Sequence, residues 1–170
     1  MYEMIDPQVS VLDEEFFKKH TLALISAEPE ERQGYCANFT VGCYRFGRPE
    51  LFMYHRCPEA CSEILSAFAE LNLTGILKEG LTLLPGKIFP GTGEPMHFGV
   101  KVLHGAQFLT ASEMISSTYR LIAGGKEFEE LYTSGAVQIF TPDESNLLPW
   151  EYSPSEKYVS GQVLQPARIH

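Results

Sequence analysis

The sequence predicts an α+β fold, with a mainly antiparallel sheet of five or six strands and two main helices packed on one face. Short segments of alternating apolar and polar residues recur along the chain, which is typical of strands with one buried face. Two longer stretches carry apolar residues at helical spacing. Because strand and helix segments do not alternate strictly, a sheet of parallel βαβ units is not expected.

A short helix and two strands are predicted first. Residues 13–20 place acids before bases, which suits the dipole of a helix, and residues 21–26 form an apolar strand. In residues 35–44, aromatic and aliphatic side chains alternate with small and polar ones. We expect the apolar side of this strand to face the core, and Asn38 and Thr40 on its other side to remain available for contact.

A central strand and the first main helix follow. Residues 51–54 are apolar on both faces, as in a strand covered on both sides. Pro58 suits the first position of a helix, where its missing N–H is not needed. Asn72 and Gly75 are expected to end this helix. Its apolar stripe consists of Cys61, Ile64, Leu65, Phe68 and Leu71.

Three further strands and a second main helix are predicted beyond that point. The strands span 81–84, 96–103 and 136–140, and the middle one alternates cleanly. The helix has Thr110 or Ser112 as its N-terminal cap, with a capping-box pattern that starts at Thr110, and it ends at Gly124-Gly125.

Length and composition predict a single domain over residues 1–170, with a compact body at about 20–152 and a polar C-terminal tail at 153–170. Hydrophobic residues make up 44% of the chain and charged residues 21%, as in globular proteins. No apolar run reaches the roughly 20 residues that cross a bilayer, and the N-terminus has no signal-peptide pattern. We therefore expect a cytoplasmic protein with free thiols.

The net charge of −9 bears on the choice of partners. Nucleic-acid binders neutralise phosphates with clustered Lys and Arg, whereas the 13 basic residues here are scattered. Nucleic acid and anionic membrane are therefore not expected as partners. A protein partner or a small molecule is expected instead, and pairing of the chain with itself as a homodimer stays open.

Three segments resemble those of a bacterial family described only as a domain of unknown function. Phe39-Thr40-Val41-Gly42 is similar to its aromatic-Thr-Val-Gly segment, and Arg48-Pro49-Glu50-Leu51 to its His- or Arg-Pro-Glu-Leu segment. Residues 137–143 are similar to its closing Gln-containing strand and Pro-Asp turn, and Leu148-Pro149-Trp150 contains its Pro-Trp pair. Where the family often has Leu-Thr, this chain has Cys43-Tyr44. The resemblance implies a fold and no particular reaction.

A second, weaker resemblance is to the flavin-binding split barrel. In that fold a strand of small and hydroxyl residues meets a flavin phosphate. Here Asn38 and Thr40 would take that role. Because this is an analogy between folds, it implies a cofactor only as an alternative.

Convergent polar side chains on a rigid sheet are the usual basis of a binding pocket, and two predicted strands carry such side chains. The candidate set is completed by Arg48 and Glu50 at the rim and by Trp150, which either anchors the tail or stacks on a ligand. A solvated sheet face, with Arg48 and Glu50 either paired to each other or capping a turn, explains the same pattern. The candidate ligand- or partner-binding residues are Asn38, Thr40, Arg48, Glu50, His97, Lys101 and Trp150.

Cysteine and histidine residues suggest chemistry that we weigh and do not adopt. His55, Cys57 and Cys61 have a spacing that zinc allows, but Cys61 lies on the apolar helix stripe, where a thiol packs as a small hydrophobe. Cys57 precedes a helix N-terminus, yet no oxyanion-hole pattern accompanies it. Pro90-Gly91-Thr92-Gly93 leads into a strand and reads as a turn, because phosphate-binding loops lead into a helix. No metal site and no catalytic residue is predicted.

The function that the sequence favours is a non-enzymatic binding module, for which an immunity or antitoxin-like role would suit the acidity. The alternative is a small flavin- or nucleotide-binding enzyme that uses the polar face of residues 35–44. Whether the chain is an enzyme, and whether it binds a cofactor, stays open at this point.

Overall fold

The computed structural model describes residues 2–5, 14–27, 36–55, 58–104, 135–142, 146 and 148. The second predicted main helix, Cys57, Trp150 and the predicted tail lie outside these residues. Neither helix of the described part is long and apolar enough to cross a membrane.

Seven strands of the described ranges form one sheet, and four of the six pairings between neighbours are antiparallel. The α+β class is thus confirmed, but the sheet is mixed and has one strand more than predicted. The first strand in the chain is the addition, and it runs parallel to the second. The strands are β1 (Tyr2–Ile5), β2 (Leu22–Ala27), β3 (Cys36–Val41), β4 (Glu50–His55), β5 (Gly80–Ile88), β6 (Pro95–Val102) and β7 (Ala136–Phe140), in the spatial order β1-β2-β3-β4-β7-β6-β5.

The two described helices cover opposite faces of this sheet. In α1 (Glu14–Lys19), Phe16 and Phe17 pack against the cluster that contains Phe39 and Phe52. In α2 (Pro58–Leu73), the buried stripe packs against Leu51 and Met53, which alternate with Phe52 along β4. Each α2 stripe residue named from the sequence lies in this contact, as predicted. The prediction that both main helices pack on one face can be compared with the structure only for α2, because the second main helix lies outside the described residues.

Strands β3 and β4 therefore have a neighbouring strand on each side and apolar cover on each face. The expectation that Asn38 and Thr40 remain available for contact is wrong, because both side chains are buried, as are Phe39 and Val41. The alternating pattern does separate two faces, but both face the interior. A strand with hydroxyl and amide side chains can occupy such a position when those groups are hydrogen-bonded.

Candidate functional site

A tight turn joins β3 to β4 and forms the centre of the candidate site. The sequence predicts a strand as far as Tyr44, but β3 ends at Val41 and a 3₁₀ turn spans Cys43–Phe46. Glycine residues bound this turn, Gly42 with φ 125° and Gly47 with φ 67°. Such backbone angles are accessible to glycine and unfavourable for residues with a Cβ. They let the chain reverse within a few residues and enter β4 directly.

Glu50 lies beneath the turn and binds its backbone. Its Oε1 accepts hydrogen bonds from the N–H groups of Gly42 and Tyr44, each at 3.0 Å. Its Oε2 accepts the hydroxyl proton of Thr40 at 2.6 Å, and Thr40 Oγ1 in turn accepts the N–H of Leu51 at 2.9 Å. The Glu50 side chain is only 1% exposed. A single carboxylate thus links the end of β3, the turn and the start of β4.

Two opposing effects act on the pKa of Glu50: burial raises it, and the hydrogen bonds from these donors lower it. Removal from water raises the pKa of the carboxyl to about 7, although the Thr40 hydroxyl and the N–H groups of Tyr44, Gly42 and Cys43 act to lower it. Burial therefore favours the neutral form of the Glu50 carboxyl.

Cys43 shares this interior and is not suited to nucleophilic chemistry. Its Sγ lies 3.5 Å from Thr40 Oγ1. Burial, and then the nearby Glu50 carboxylate, raise the pKa of the Cys43 thiol far above its ordinary range. Because the thiolate is the reactive form, a thiol held protonated in this way is inert.

Asn72, near the C-terminus of α2, attaches that helix to the turn. Its Nδ2 donates to the carbonyl oxygen of Pro49 at 2.8 Å, and its side chain also hydrogen-bonds the Cys43 thiol. The sequence predicts for Asn72 only that it ends the helix. The link to the turn is a long-range contact, which no local pattern reveals.

Replacing Asn72 by Ala should lower the free energy of unfolding by about 1 kcal/mol, because the half-buried Pro49 carbonyl then loses its donor. Chemical denaturation of both proteins measures the difference. Thr74→Ala is the matched control, since the exposed Thr74 hydroxyl bonds only within its own helix end, to the carbonyl oxygens of Glu70 and Leu71. Equal losses in the two variants would show that Asn72 is an ordinary helix-end residue.

The outer side of the turn presents arginine and aromatic side chains. The Arg45 guanidinium carbon lies 4.4 Å from the ring centre of Phe17 and 5.6 Å from that of Phe46, within cation–π range. The Phe46 side chain is 50% exposed. Arg48 lies against Gly75, where a Cβ would stand 2.6 Å from Arg48 Nη2. The adjoining Ile76 is 62% exposed.

The ion pairs of the described residues lie outside this surface. Lys18 and Lys19 pair with Glu15, and Lys87 pairs with Glu63. No carboxylate of the described ranges forms an ion pair with Arg45 or Arg48. Of the two alternatives left open for Arg48 and Glu50, their pairing with each other is therefore wrong. Glu50 instead caps the turn, because its carboxylate points inward to the turn backbone while Arg48 extends over Gly75.

The predicted shared polar surface is also wrong. Thr40 pairs with Leu24 in the register, so both side chains point to the same face, and Leu24 belongs to the apolar cluster packed against α2. Phe98 belongs to the same cluster, and His97, the preceding residue of β6, points to the opposite face. Asn38 and Thr40 therefore point to one face of the sheet, whereas His97 and Lys101 point to the other. Glu50 is buried and not at a rim.

The two β6 residues of the candidate set have separate environments. The backbone N–H of His97 donates to Asn146 Oδ1, and its ring Nδ1 lies 3.0 Å from the Asn146 carbonyl oxygen, so it helps hold that segment. Lys101 is exposed and lies beside Gln138 of β7 in the register. Whether either residue binds a ligand stays a prediction, as does any role of Trp150.

The cysteine cluster considered from the sequence is only partly described. Cys61 is buried in the contact of α2 with the sheet, and both Cys43 and Cys61 are free thiols. In the described ranges no three His, Cys, Asp or Glu side chains are grouped so that they could hold a metal ion. The position of Cys57 lies outside those ranges.

No protein-family model, curated protein or solved structure matches this chain. The resemblance to the bacterial family of unknown function therefore stays a prediction. The function must be argued from the geometry of the turn.

Proposed function

We propose that the chain is a non-enzymatic binding module whose partner-contacting surface is the β3–β4 turn together with the end of α2. The observation that carries this proposal is the exposed Arg45–Phe46 pair on a turn fastened from below by the buried Glu50 carboxylate. Arginine and aromatic side chains supply a large share of the binding energy at protein interfaces. A turn that is already ordered loses little conformational entropy when a partner binds.

The charges of this surface favour a protein partner that presents acidic side chains beside an apolar recess. Arg45 and Arg48 have no ion-pair partner in the described part of the chain, and Phe46 and Ile76 offer apolar area close by. A guanidinium binds a carboxylate through two parallel hydrogen bonds, which adds orientation to affinity. The net charge of −9 would suit an immunity or antitoxin-like role, in which an acidic surface binds a basic protein. Such a role would use a surface other than the arginine-bearing turn.

The alternative of a flavin- or nucleotide-binding enzyme gains no support from the described residues. It requires Asn38 and Thr40 to be accessible, and both are completely buried. The Thr40 hydroxyl is also engaged by Glu50 and Leu51.

Phe46→Ala should weaken the complex at least about tenfold, or about 1.4 kcal/mol, because it removes the exposed aromatic anchor. The chain is first used to capture partners from a lysate of its source organism, and the captured protein is then purified. Isothermal titration calorimetry of that protein with each variant measures the affinity.

Ile88→Ala is the matched control, since Ile88 is 52% exposed and lies beside Pro95 in the edge strand β5, three strands away from β4. Its affinity should equal that of the natural sequence. If Ile88→Ala weakens the complex and Phe46→Ala does not, the turn is not the contact surface.

A further inference from the structure

Thr40, Cys43 and Glu50 form a closed group in the interior, and the Thr40 hydroxyl lies between the other two. A hydroxyl has one proton to donate and two lone pairs that accept. With Glu50 charged, Thr40 donates to Oε2 at 2.6 Å and accepts from the Leu51 N–H at 2.9 Å. The second lone pair of Thr40 then accepts the S–H of Cys43, whose Sγ lies 3.5 Å away and can equally accept the Thr40 proton.

No cation of the described residues balances the charge of Glu50. The groups that face it are Thr40 from β3, the thiol of Cys43 and the backbone of the turn. Asn72 of α2 adds a neutral amide beside Cys43. Arg45 and Arg48, the cations nearest in sequence, lie over Phe17 and Gly75 on the outside. A buried carboxylate without a counter-ion is held only by hydrogen bonds, which makes its neutral form competitive.

We propose that Glu50 is a proton-binding site of the folded protein, in which the Thr40 hydroxyl reverses direction when the carboxyl becomes neutral. The proton comes from solvent and binds Oε2. Oε2–H then donates to Thr40 Oγ1, the Cys43 S–H turns away from that lone pair, and the Thr40 proton turns from Oε2 to Cys43 Sγ. The Leu51 N–H keeps its acceptor throughout. Every polar group thus retains a partner in both charge states, so the proton enters without breaking the fold.

The turn is coupled to this site through Oε1. A carboxylate accepts the N–H groups of Gly42 and Tyr44 more strongly than a neutral carboxyl does. Proton uptake therefore loosens the turn that carries Arg45 and Phe46. Any effect on partner affinity rests on the proposed function, whereas proton uptake itself does not.

The experiment is an NMR titration of the full chain labelled with ¹³C at the glutamate side chains. The carboxyl resonance that is missing in Glu50→Gln identifies Glu50. We expect this resonance to titrate near neutral pH, and the amide protons of Gly42 and Tyr44 to shift with the same midpoint.

The Thr40 hydroxyl can be tested by substitution. Thr40→Val removes the partner of Oε2 in both charge states. Since the hydrogen bond to the charged carboxylate is the stronger of the two, the midpoint should rise. Thr40→Ser keeps the hydroxyl and should leave the midpoint near its natural value.

Either of two results would overturn the proposal: a Glu50 resonance that does not change between about pH 5 and about pH 9, or a midpoint that is the same in Thr40→Val as in the natural sequence. Loss of partner binding in Phe46→Ala tests only the proposed function. Titration of Glu50 with no change in partner affinity would leave the proton site intact and remove the turn as the contact surface.

Discussion

Gly42→Ala should lower the free energy of unfolding by about 3 kcal/mol, since it combines an unfavourable backbone angle with a steric conflict. The angle φ at Gly42 is 125°. An added Cβ would stand 3.0 Å from a Phe17 ring carbon, 3.2 Å from Leu22 Cδ2 and 3.3 Å from the Thr21 carbonyl oxygen. The Thr21 oxygen belongs to the backbone, so it cannot move aside as a side chain does. Urea denaturation of the two proteins measures the loss.

Gly47→Ala is the matched control at the other end of the same turn. Gly47 also has a positive φ, 67°, but an added Cβ meets nothing within 4 Å. Only the backbone contributes there, so a loss of about 1 kcal/mol is expected. If the two variants lose equal stability, the close packing of Gly42 against Phe17 and Leu22 does not contribute.

The stability of the protein should fall as the pH rises through the range in which Glu50 ionises. In the folded state the pKa of Glu50 is raised from 4.5 to about 7 by burial. Between these values the folded protein binds more protons at this site than the unfolded chain does. The contribution of Glu50 is therefore most favourable below about pH 4.5 and is lost as the pH rises to about 7, a change of about 3 kcal/mol.

Glu50→Gln should remove this dependence. The amide of Gln reproduces the neutral carboxyl, with an oxygen for the N–H groups of Gly42 and Tyr44 and an N–H for Thr40. Denaturation at a series of pH values, with the difference between the two proteins taken at each, cancels the contributions of other groups. Glu63→Gln is the matched control, because exposed Glu63 pairs with Lys87, which lowers its pKa. A difference that stays constant from about pH 5 to about pH 8 would show that Glu50 does not titrate in the fold.

The elements that depend on local periodicity were predictable from the sequence. The α2 stripe has helical spacing along one stretch of chain, and β7 has the predicted bounds. The central place of β4 follows from its having no polar face. Each of these predictions depends only on which side chains are buried, and not on which strands are neighbours in the sheet.

The candidate site depends on which strands are neighbours, and there the sequence was insufficient. Thr40 and His97 belong to opposite faces because of the register of six strand pairings, which no single strand records. His97 holds Asn146, which lies 49 residues further along the chain. One signal did exist: Glu50 opens a strand of apolar residues directly after a turn bounded by glycines. An acid beside a tight turn can cap the backbone N–H groups of that turn, and in the structure Glu50 does so from the inside.

The position of β7 between β4 and β6 has a consequence for synthesis of the protein. Translation delivers β1–β4 and then β5–β6 before β7, the last of the described strands, leaves the ribosome. Until then β4 and β6 each have a bare edge toward the missing strand, and such edges pair readily with other chains. Because β7 lies far from β4 in the sequence, joining them is slow compared with closing the local hairpins. We expect nascent chains that stop before β7 to require a chaperone, and β7 to convert two half-sheets into one.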